Sequence, residues 1–362
     1  MHYAVYFILS ALDKQAHSAH NSLYIYNFSC MFILAYAEHG IAQIIYIERR
    51  LEMMKVFIDG SYGTTGLRIY ERLEARTDIE LITIPYEDRH SESARSEAYA
   101  AADLVFTCLP DAAAKEATIL ADQYDVRVID ASTAHRVHPD WTYGFPEITG
   151  DDAIRHAKRV ANPGCHASGV CALIYPLMQA GLISHDVKLQ CFSLTGYSGG
   201  GKKMISQYEA TEPDPLLGAP RMYGLSQHHK HLPEIGKVCG LHYEPVFCPV
   251  VSDYYSGMES IIPLFGDDVN GSLEDIRDAY RSFYTGPLVY YKDDVDEEGF
   301  LSAGSMSGRD DMELSVYGNE ERMLLVARFD NLGKGASGSA IQNMNLMMGI
   351  DPATGLVLGT NC

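Results

Sequence analysis

Met54-Lys-Val-Phe-Ile-Asp-Gly60-Ser-Tyr-Gly63-Thr-Thr-Gly66-Leu67 is the stretch that decides the fold of this chain. Val56, Phe57 and Ile58 form a short apolar run that enters a loop with glycine at every third position. Leu67, Tyr70 and Leu73 then continue at helical spacing. A strand, a glycine loop and a helix in that order open a dinucleotide-binding sheet. Glycines let the backbone approach a pyrophosphate, and the N–H groups at the helix start donate to it. The spacing is G-x-x-G-x-x-G rather than the commoner G-x-G-x-x-G, so the motif carries weight only with its strand and helix. Gly60, Tyr62, Gly63, Thr64 and Gly66 are the candidate cofactor-binding residues.

The alternation continues downstream. Ile79 to Ile84 is a strand that ends at Pro85-Tyr-Glu-Asp-Arg89. An acidic residue there favours NAD and an arginine favours NADP. Glu87, Asp88 and Arg89 are all near, so the residues leave both cofactors open. Asp103 to Leu109 is the next strand, followed by an Ala-rich helix from Asp111 to about Tyr124 and a strand from Val126 to Asp130. Cys108, inside an apolar strand, reads as a core residue. Strands alternating with helices give a parallel, doubly wound α/β sheet. Ligands bind at the carboxyl end of such a sheet. Arg136, in the loop Asp130-Ala-Ser-Thr-Ala-His-Arg136, is therefore a candidate anion partner.

Ala161-Asn-Pro-Gly-Cys165-His-Ala-Ser-Gly-Val170-Cys171 follows. Val170, Leu173, Ile174 and Leu177 fall on one helix face, and Gly181 is a plausible stop. Cys165 then sits at a helix N-terminus, where unpaired N–H groups and the dipole favour a thiolate nucleophile. Cys171, further along the same helix, reads as structural.

Beyond about residue 182 the texture is α+β. Val187 to Leu194, Val246 to Val251, Glu259 to Leu264 and Met323 to Phe329 read as strands, and Leu273–Tyr284 as a helix, giving a mixed or antiparallel sheet. Thr195-Gly-Tyr-Ser198-Gly-Gly-Gly-Lys202-Lys203 reads as a flexible, cationic loop able to cradle an anion. Arg221 lies in a stretch rich in Pro, Gly and Leu. In Gln227-His-His-Lys-His-Leu-Pro-Glu-Ile235 the histidines lack the second ligand pair of a zinc site. A histidine serving Cys165 as acid/base is the sharper reading. Asn331-Leu-Gly-Lys334-Gly-Ala-Ser opens a last helix whose face includes Ile341, Met344 and Met348, which can return to the first sheet.

Composition bounds the function. The 362 residues carry a formal charge of −20, which argues against nucleic acid and anionic membrane as partners. Any anionic ligand must therefore meet a local basic cluster. The eight cysteines are irregularly spaced and form no disulfide framework, as suits free thiols in a reducing cytoplasm. Residues 1–53 differ from the rest. Two apolar runs, Leu23–Ala37 and Ile41–Ile47, are too short to span a membrane. The expectation is that Met53 or Met54 is the true start and that 1–53 is a non-native or disordered extension, with a real amphipathic extension as the alternative. N-terminal mass spectrometry of the native protein decides between them.

From Met54 onward the chain resembles the N-acetyl-gamma-glutamyl-phosphate reductases of the shorter variety. The resemblance rests on Gly60–Gly66, Asp130–Arg136, Tyr143–Glu147, Asn162-Pro-Gly-Cys165, Thr195–Gly201, His229-Lys-His-Leu-Pro-Glu-Ile235 and Asn331–Asn345, in that order. His166 departs from the pattern, which has tyrosine there. The resemblance implies a cytoplasmic, NADPH-dependent, metal-free oxidoreductase of arginine biosynthesis that acts on a small acyl phosphate and forms homo-oligomers. It implies an NADP-binding Rossmann domain from 54–164 with about 332–362, and a catalytic and oligomerisation domain over 165–331. Cys165 would form a thioester. His231 would be the acid/base, with His229 as the other candidate. Arg136, Ser198, Lys202 and Arg221 would meet the substrate, and Asn331 and Lys334 would approach the cofactor. Two other readings remain: reduction of an aspartyl or aminoadipyl phosphate, and a non-catalytic dinucleotide sensor.

Overall fold

A computed structural model describes residues 53–359 together with the strand segments 22–28, 31–38 and 41–48. The chain divides into two compact units, Met1–Met53 and Met54–Cys362. In the first, β1 (Ser22–Phe28), β2 (Met31–Glu38) and β3 (Ile41–Glu48) form an antiparallel sheet. Phe28 pairs with Met31 and Glu38 with Ile41, the register of two-residue hairpins. The apolar runs read from the sequence fall on these strands.

The second unit opens with β4 (Met54–Asp59), α1 (Thr64–Glu74), β5 (Ile79–Ile82), α2 (Glu92–Ala101), β6 (Leu104–Thr107), α3 (Asp111–Gln123), β7 (Arg127–Asp130), β8 (Thr142–Tyr143), α4 (Pro146–Thr149), α5 (Asp151–His156) and β9 (Arg159–Ala161). Its six strands run in the order β5-β4-β6-β7-β9-β8, and every neighbouring pair is parallel. The apolar run of β4 serves both faces by the two-residue strand period. Val56 and Ile58 meet Ile69 and Leu73 of α1, whereas Phe57 meets Tyr99 and Val105 on the other side. Gly60 has φ +93°, and a Cβ there would strike the Cys108 carbonyl. No other residue type fits that turn without strain.

The loop after β7 is organised by one carboxylate. Asp130, fully buried, accepts from Thr107 Oγ1 at 2.7 Å, Ser132 Oγ at 2.6 Å and the Ser132 N–H at 3.1 Å, and its Oδ2 lies 2.7 Å from His135 Nδ1. Burial pushes its pKa up, but these partners together hold it below 3.8. A depressed carboxyl pKa stabilises the fold above the unfolded value, and that contribution is lost as pH falls through the lower folded value. Asp130→Asn is therefore expected to cost about 1–3 kcal/mol at neutral pH. The gap from the parent in thermal melts should narrow below about pH 4, where the parent's own carboxyl takes up a proton.

The rest of the unit comprises α6 (Cys165–Gln179), β10 (Gln190–Gly196), α7 (Gly201–Tyr208), β11 (Arg221–Met222), α8 (Leu232–Cys239), β12 (Val246–Ser252), β13 (Met258–Phe265), α9 (Leu273–Phe283), β14 (Val289–Tyr291), β15 (Met312–Asn319), β16 (Arg322–Phe329) and α10 (Gly338–Met348). The second sheet is mixed, in the order β11-β12-β10-β13-β16-β15-β14. The stretch expected to be a flexible loop, Thr195–Lys203, instead ends β10, makes a 3-10 turn over Tyr197–Gly200 and starts α7.

Helix α6 lies against this sheet, and nearly every side chain from His166 to Met178 is buried. Each buried Leu or Ile contributes roughly 1.5–3 kcal/mol. Pro176 lies inside the helix and cannot donate to the Ala172 carbonyl. Tyr284 Oη donates to that oxygen at 2.9 Å, and Tyr280 Oη donates to the Leu173 carbonyl at 2.7 Å. At the chain's end, Ile341, Met344 and Met347 of α10 pack with Val56, Ile58 and Ile69 beside the first sheet.

Candidate active site

Cys165 begins α6 four residues beyond the end of β9, at the carboxyl end of the parallel sheet. Gly164 caps the helix with no side-chain bond, so the first N–H groups stay available for an oxyanion. A Cβ on Gly164 would collide with His231 Nε2 and Arg136 Nη1. The turn that carries the thiol therefore touches both side chains. All of them line one cavity of about 290 Å³, with Lys230, Thr195, Ser198 and Asn331.

Glu234, almost fully buried, closes the arrangement from α8. Its Oε1 accepts from the Gly164 N–H at 2.8 Å and from Tyr143 Oη at 2.8 Å. Arg136 Nη1 donates to its Oε2 at 3.2 Å. Arg136 also donates from Nε to the Asn162 carbonyl and from Nη2 to the Ala131 carbonyl, so its guanidinium is held rigidly at the cavity wall.

The electrostatics correct one expectation. Burial pushes the Cys165 thiol above its ordinary value, and Glu234 adds to the rise, while Lys230, Arg136 and the His166 N–H oppose it. The helix start alone does not make a thiolate of a residue enclosed this far. A neighbouring base is needed. Burial, with Arg136, His166, His229 and Lys230 adding to it, holds His231 well below the usual histidine range. His231 is therefore a neutral base at physiological pH, and its buried Nδ1 has no hydrogen-bond partner among the described residues. His229 is also held low, by burial and then by Lys230, and its Nδ1 accepts the His231 N–H at 3.4 Å. His166 is pushed down to about 3, mainly by burial. Its Nδ1 lies 2.7 Å from Ser193 Oγ and its Nε2 2.7 Å from Tyr223 Oη, so the ring is fixed between two partners.

The other expected residues divide. Ser198 and Asn331 face the cavity and are joined, with Asn331 Nδ2 donating to Ser198 Oγ at 3.0 Å. Thr64 lines the same cavity from the start of α1. Lys202 is exposed and is not part of the cavity wall. Arg221 donates to Tyr208 Oη at 3.1 Å and stands outside the wall. Lys334 is buried, donating to Glu147 at 2.7 Å and Gln342 at 2.6 Å, so its charge is used within the protein. Cys171 is fully buried. Lys230, Glu234 and Tyr223 were not singled out from the sequence. The first two lie inside the His229–Ile235 segment, and nothing in the local sequence marks Tyr223.

A second cavity, of about 380 Å³, lies over the glycine loop and includes Gly60, Tyr62, Gly63, Arg89, His90 and Cys108 in its wall. Gly63 caps α1 with no side-chain bond, so the glycine cradle and bare helix start fit a pyrophosphate. The Tyr62 and Tyr86 rings meet edge to face at 4.9 Å, and the Arg89 guanidinium lies 3.8 Å over Tyr86. Asp59 is occupied by Arg95 at 2.7 Å and Tyr99 at 2.9 Å. The start of α1 separates the two cavities, with Gly63 on one and Thr64 on the other.

Comparison with known proteins covers both halves of the unit from Met54 onward. Residues 55–157 match the family model described as the semialdehyde dehydrogenase NAD binding domain, and residues 165–331 match the semialdehyde dehydrogenase dimerisation domain. The chain is 44% identical over 306 residues to the N-acetyl-gamma-glutamyl-phosphate reductase of Brucella suis, covering 82% of this chain and 99% of that one. The enzyme of the same name from Brucella ovis is 43% identical over the same coverage. Among solved structures, aspartate semialdehyde dehydrogenase II of Vibrio cholerae shares the fold at TM-score 0.63 and 15% identity, covering 82% of this chain and 98% of that one. A probable aspartate-semialdehyde dehydrogenase of Pseudomonas aeruginosa does so at 0.64 and 14%, covering 82% and 99%. Cavity and family model together assign a nicotinamide dinucleotide to the glycine loop. The chain belongs to the N-acetyl-gamma-glutamyl-phosphate reductase family of semialdehyde dehydrogenases.

Proposed function

We propose that this chain reduces N-acetyl-L-glutamyl 5-phosphate to N-acetyl-L-glutamate 5-semialdehyde and phosphate, with NADPH as reductant and a Cys165 thioester between the two halves of the reaction, as a cytoplasmic step of arginine biosynthesis. One observation carries the reading. A single cavity beside the glycine loop collects a thiol at a helix start, a buried neutral histidine and two cations.

His231 takes the Cys165 proton as sulfur attacks the acyl carbon, and the C–O bond to phosphate breaks. His231 passes that proton to the departing phosphate, which leaves as the HPO4²⁻ dianion and meets Arg136 and Lys230. The free N–H groups at the start of α6 hold the oxyanion. When bound, the reduced nicotinamide supplies the hydride that turns the thioester into a thiohemiacetal. A second proton, taken up from solvent and relayed by His231, reaches sulfur as the C–S bond breaks and the oxyanion re-forms the carbonyl, and His229 keeps the His231 turn in place. Ser198 and Asn331, joined in the lining of the same cavity, position the substrate amide and the cofactor. The discriminating assay runs in reverse, with N-acetyl-glutamate semialdehyde, phosphate and NADP⁺. Reduction that depends on phosphate supports the reading. A preference for aspartate semialdehyde, or no signal, rejects it.

Two substitutions test the charged walls. Lys230→Ala is expected to raise KM for phosphate in the reverse assay about five- to tenfold, a modest effect because its ammonium is solvent-screened. Arg89 and His90 line the cavity over the glycine loop, whereas Glu87 and Asp88 do not. This arrangement supports recognition of a 2′-phosphate and hence NADP. Arg89→Ala should weaken NADPH binding by roughly 10- to 100-fold, the worth of a charged hydrogen bond. NADH binding, measured by fluorescence titration, should hardly change. An equal loss for both cofactors would count against the assignment.

A further inference from the structure

We propose that Glu234 is a positioning residue that locks the Cys165 turn to the His231 helix and so sets the distance between nucleophile and base. The inference rests on the reading of Cys165 and His231 given above.

Four segments converge on this one carboxylate. Gly164, the residue before Cys165, donates its N–H to Oε1 at 2.8 Å. Tyr143, from the edge strand β8, donates its hydroxyl to the same oxygen at 2.8 Å. Arg136, from the β7 loop, donates to Oε2 at 3.2 Å. Glu234 itself lies three residues past His231 in the first turn of α8. Its side chain is about 1% exposed, so no water competes for these bonds.

Both oxygens are engaged, which leaves Glu234 poorly placed to act as a base or to touch substrate. Its work is geometric. The Cys165 backbone and the His231 backbone are tied to the same group, and Gly164 has no room for a Cβ because His231 and Arg136 press against it. A shift of the carboxylate therefore moves thiol and imidazole relative to each other. Glu234 has a second effect through charge. Lys230, Arg136, Glu234, His166, His231 and Tyr223 face the thiol from the surrounding elements. Glu234 is the one carboxylate among them, and it offsets part of the field of Arg136 and Lys230.

The test uses the full-length enzyme and iodoacetamide, with alkylation read by mass spectrometry on the Cys165 peptide. In the parent, alkylation is expected to abolish turnover. If it does not, the nucleophile reading itself fails, whatever Glu234 does. Glu234→Gln should lower kcat about a hundredfold through misplacement of the reacting groups, with KM for NADPH within roughly twofold of the parent. Its alkylation midpoint should move to lower pH, because a negative charge beside the thiol has gone. Glu234→Asp keeps the charge but is too short to reach all three donors. Its midpoint should stay in place while kcat falls by about tenfold or more. A kcat within about threefold of the parent in either variant overturns the proposal, as does an unmoved midpoint in Glu234→Gln. If Glu234→Gln does not fold, Glu234→Asp decides by the same kcat criterion.

Discussion

Cys165→Ala should lower phosphate-dependent reduction of NADP⁺ by about four to six orders of magnitude and leave dinucleotide binding within roughly twofold of the parent. The loss is large because the thiol is the only proposed carrier of the acyl group. Without it the hydride would have to reach an acyl phosphate directly, and two easier steps become one hard step. The binding half of the expectation follows from the fold. The cofactor cavity over the glycine loop is walled by β4, α1 and the ends of β5 and β6, and Cys165 is not part of that wall. Helix α6 should persist, since its stability comes from the buried stretch beyond the first residue. Cys165→Ser tests the same point with an oxygen nucleophile, which His231 must deprotonate from a higher pKa. Stopped-flow absorbance of the reduced nicotinamide and fluorescence titration with NADPH read the two halves separately. Activity within about tenfold of the parent in Cys165→Ala would remove the thioester from the mechanism.

The parts of this site that were legible in the sequence are those fixed by local backbone chemistry. The glycine loop could be read because a strand, three glycines and a helix have few other uses in that order. Cys165 could be read because a Pro-Gly turn followed by a 3.6-residue apolar pattern places a residue at a helix start. The strands of the second sheet were found where apolar residues dominate. β15 was missed because Met312–Asn319 carries Glu313 and Ser315 within it, and both are buried by tertiary contacts that local pattern does not show. α2 was missed because Glu92–Ala101 buries only Ala98 and Tyr99.

Charge was the least legible feature. Arg136, Lys202, Arg221 and Lys334 look alike as loop cations. Only the fold distinguishes an arginine clamped at the cavity wall, an exposed lysine, an arginine held by Tyr208 and a lysine spent on Glu147. Glu234 reads as an acidic residue favouring a helix start, and its bond to Gly164 spans 70 positions of sequence. The thiol's pKa could not be read either. The helix dipole is a local property, whereas burial depends on everything packed around the residue.

That balance of burial against dipole makes His231 the second large effect. His231→Asn should lower kcat by about 10²- to 10⁴-fold, the usual worth of a positioned acid/base, and His229→Asn by roughly tenfold or less. The asymmetry follows from placement. His231 touches the Cys165 turn, is almost fully buried and stays neutral well below the usual histidine range. His229 is less buried than His231 and spends Nδ1 on the His231 N–H. The pH dependence distinguishes them further, since kcat/KM reports groups of the free enzyme. With the thiol raised and the imidazole lowered, the parent's kcat/KM should climb from neutral towards basic pH and show no inflection near 6.5, where an ordinary histidine titrates. In His231→Asn the thiol loses its local proton acceptor, so the remaining rate should depend on hydroxide and rise steeply with pH. His229→Asn should keep the parent's profile at a lower plateau. A parent inflection near 6.5 that vanishes only in His229→Asn would exchange the two roles and make His229 the base.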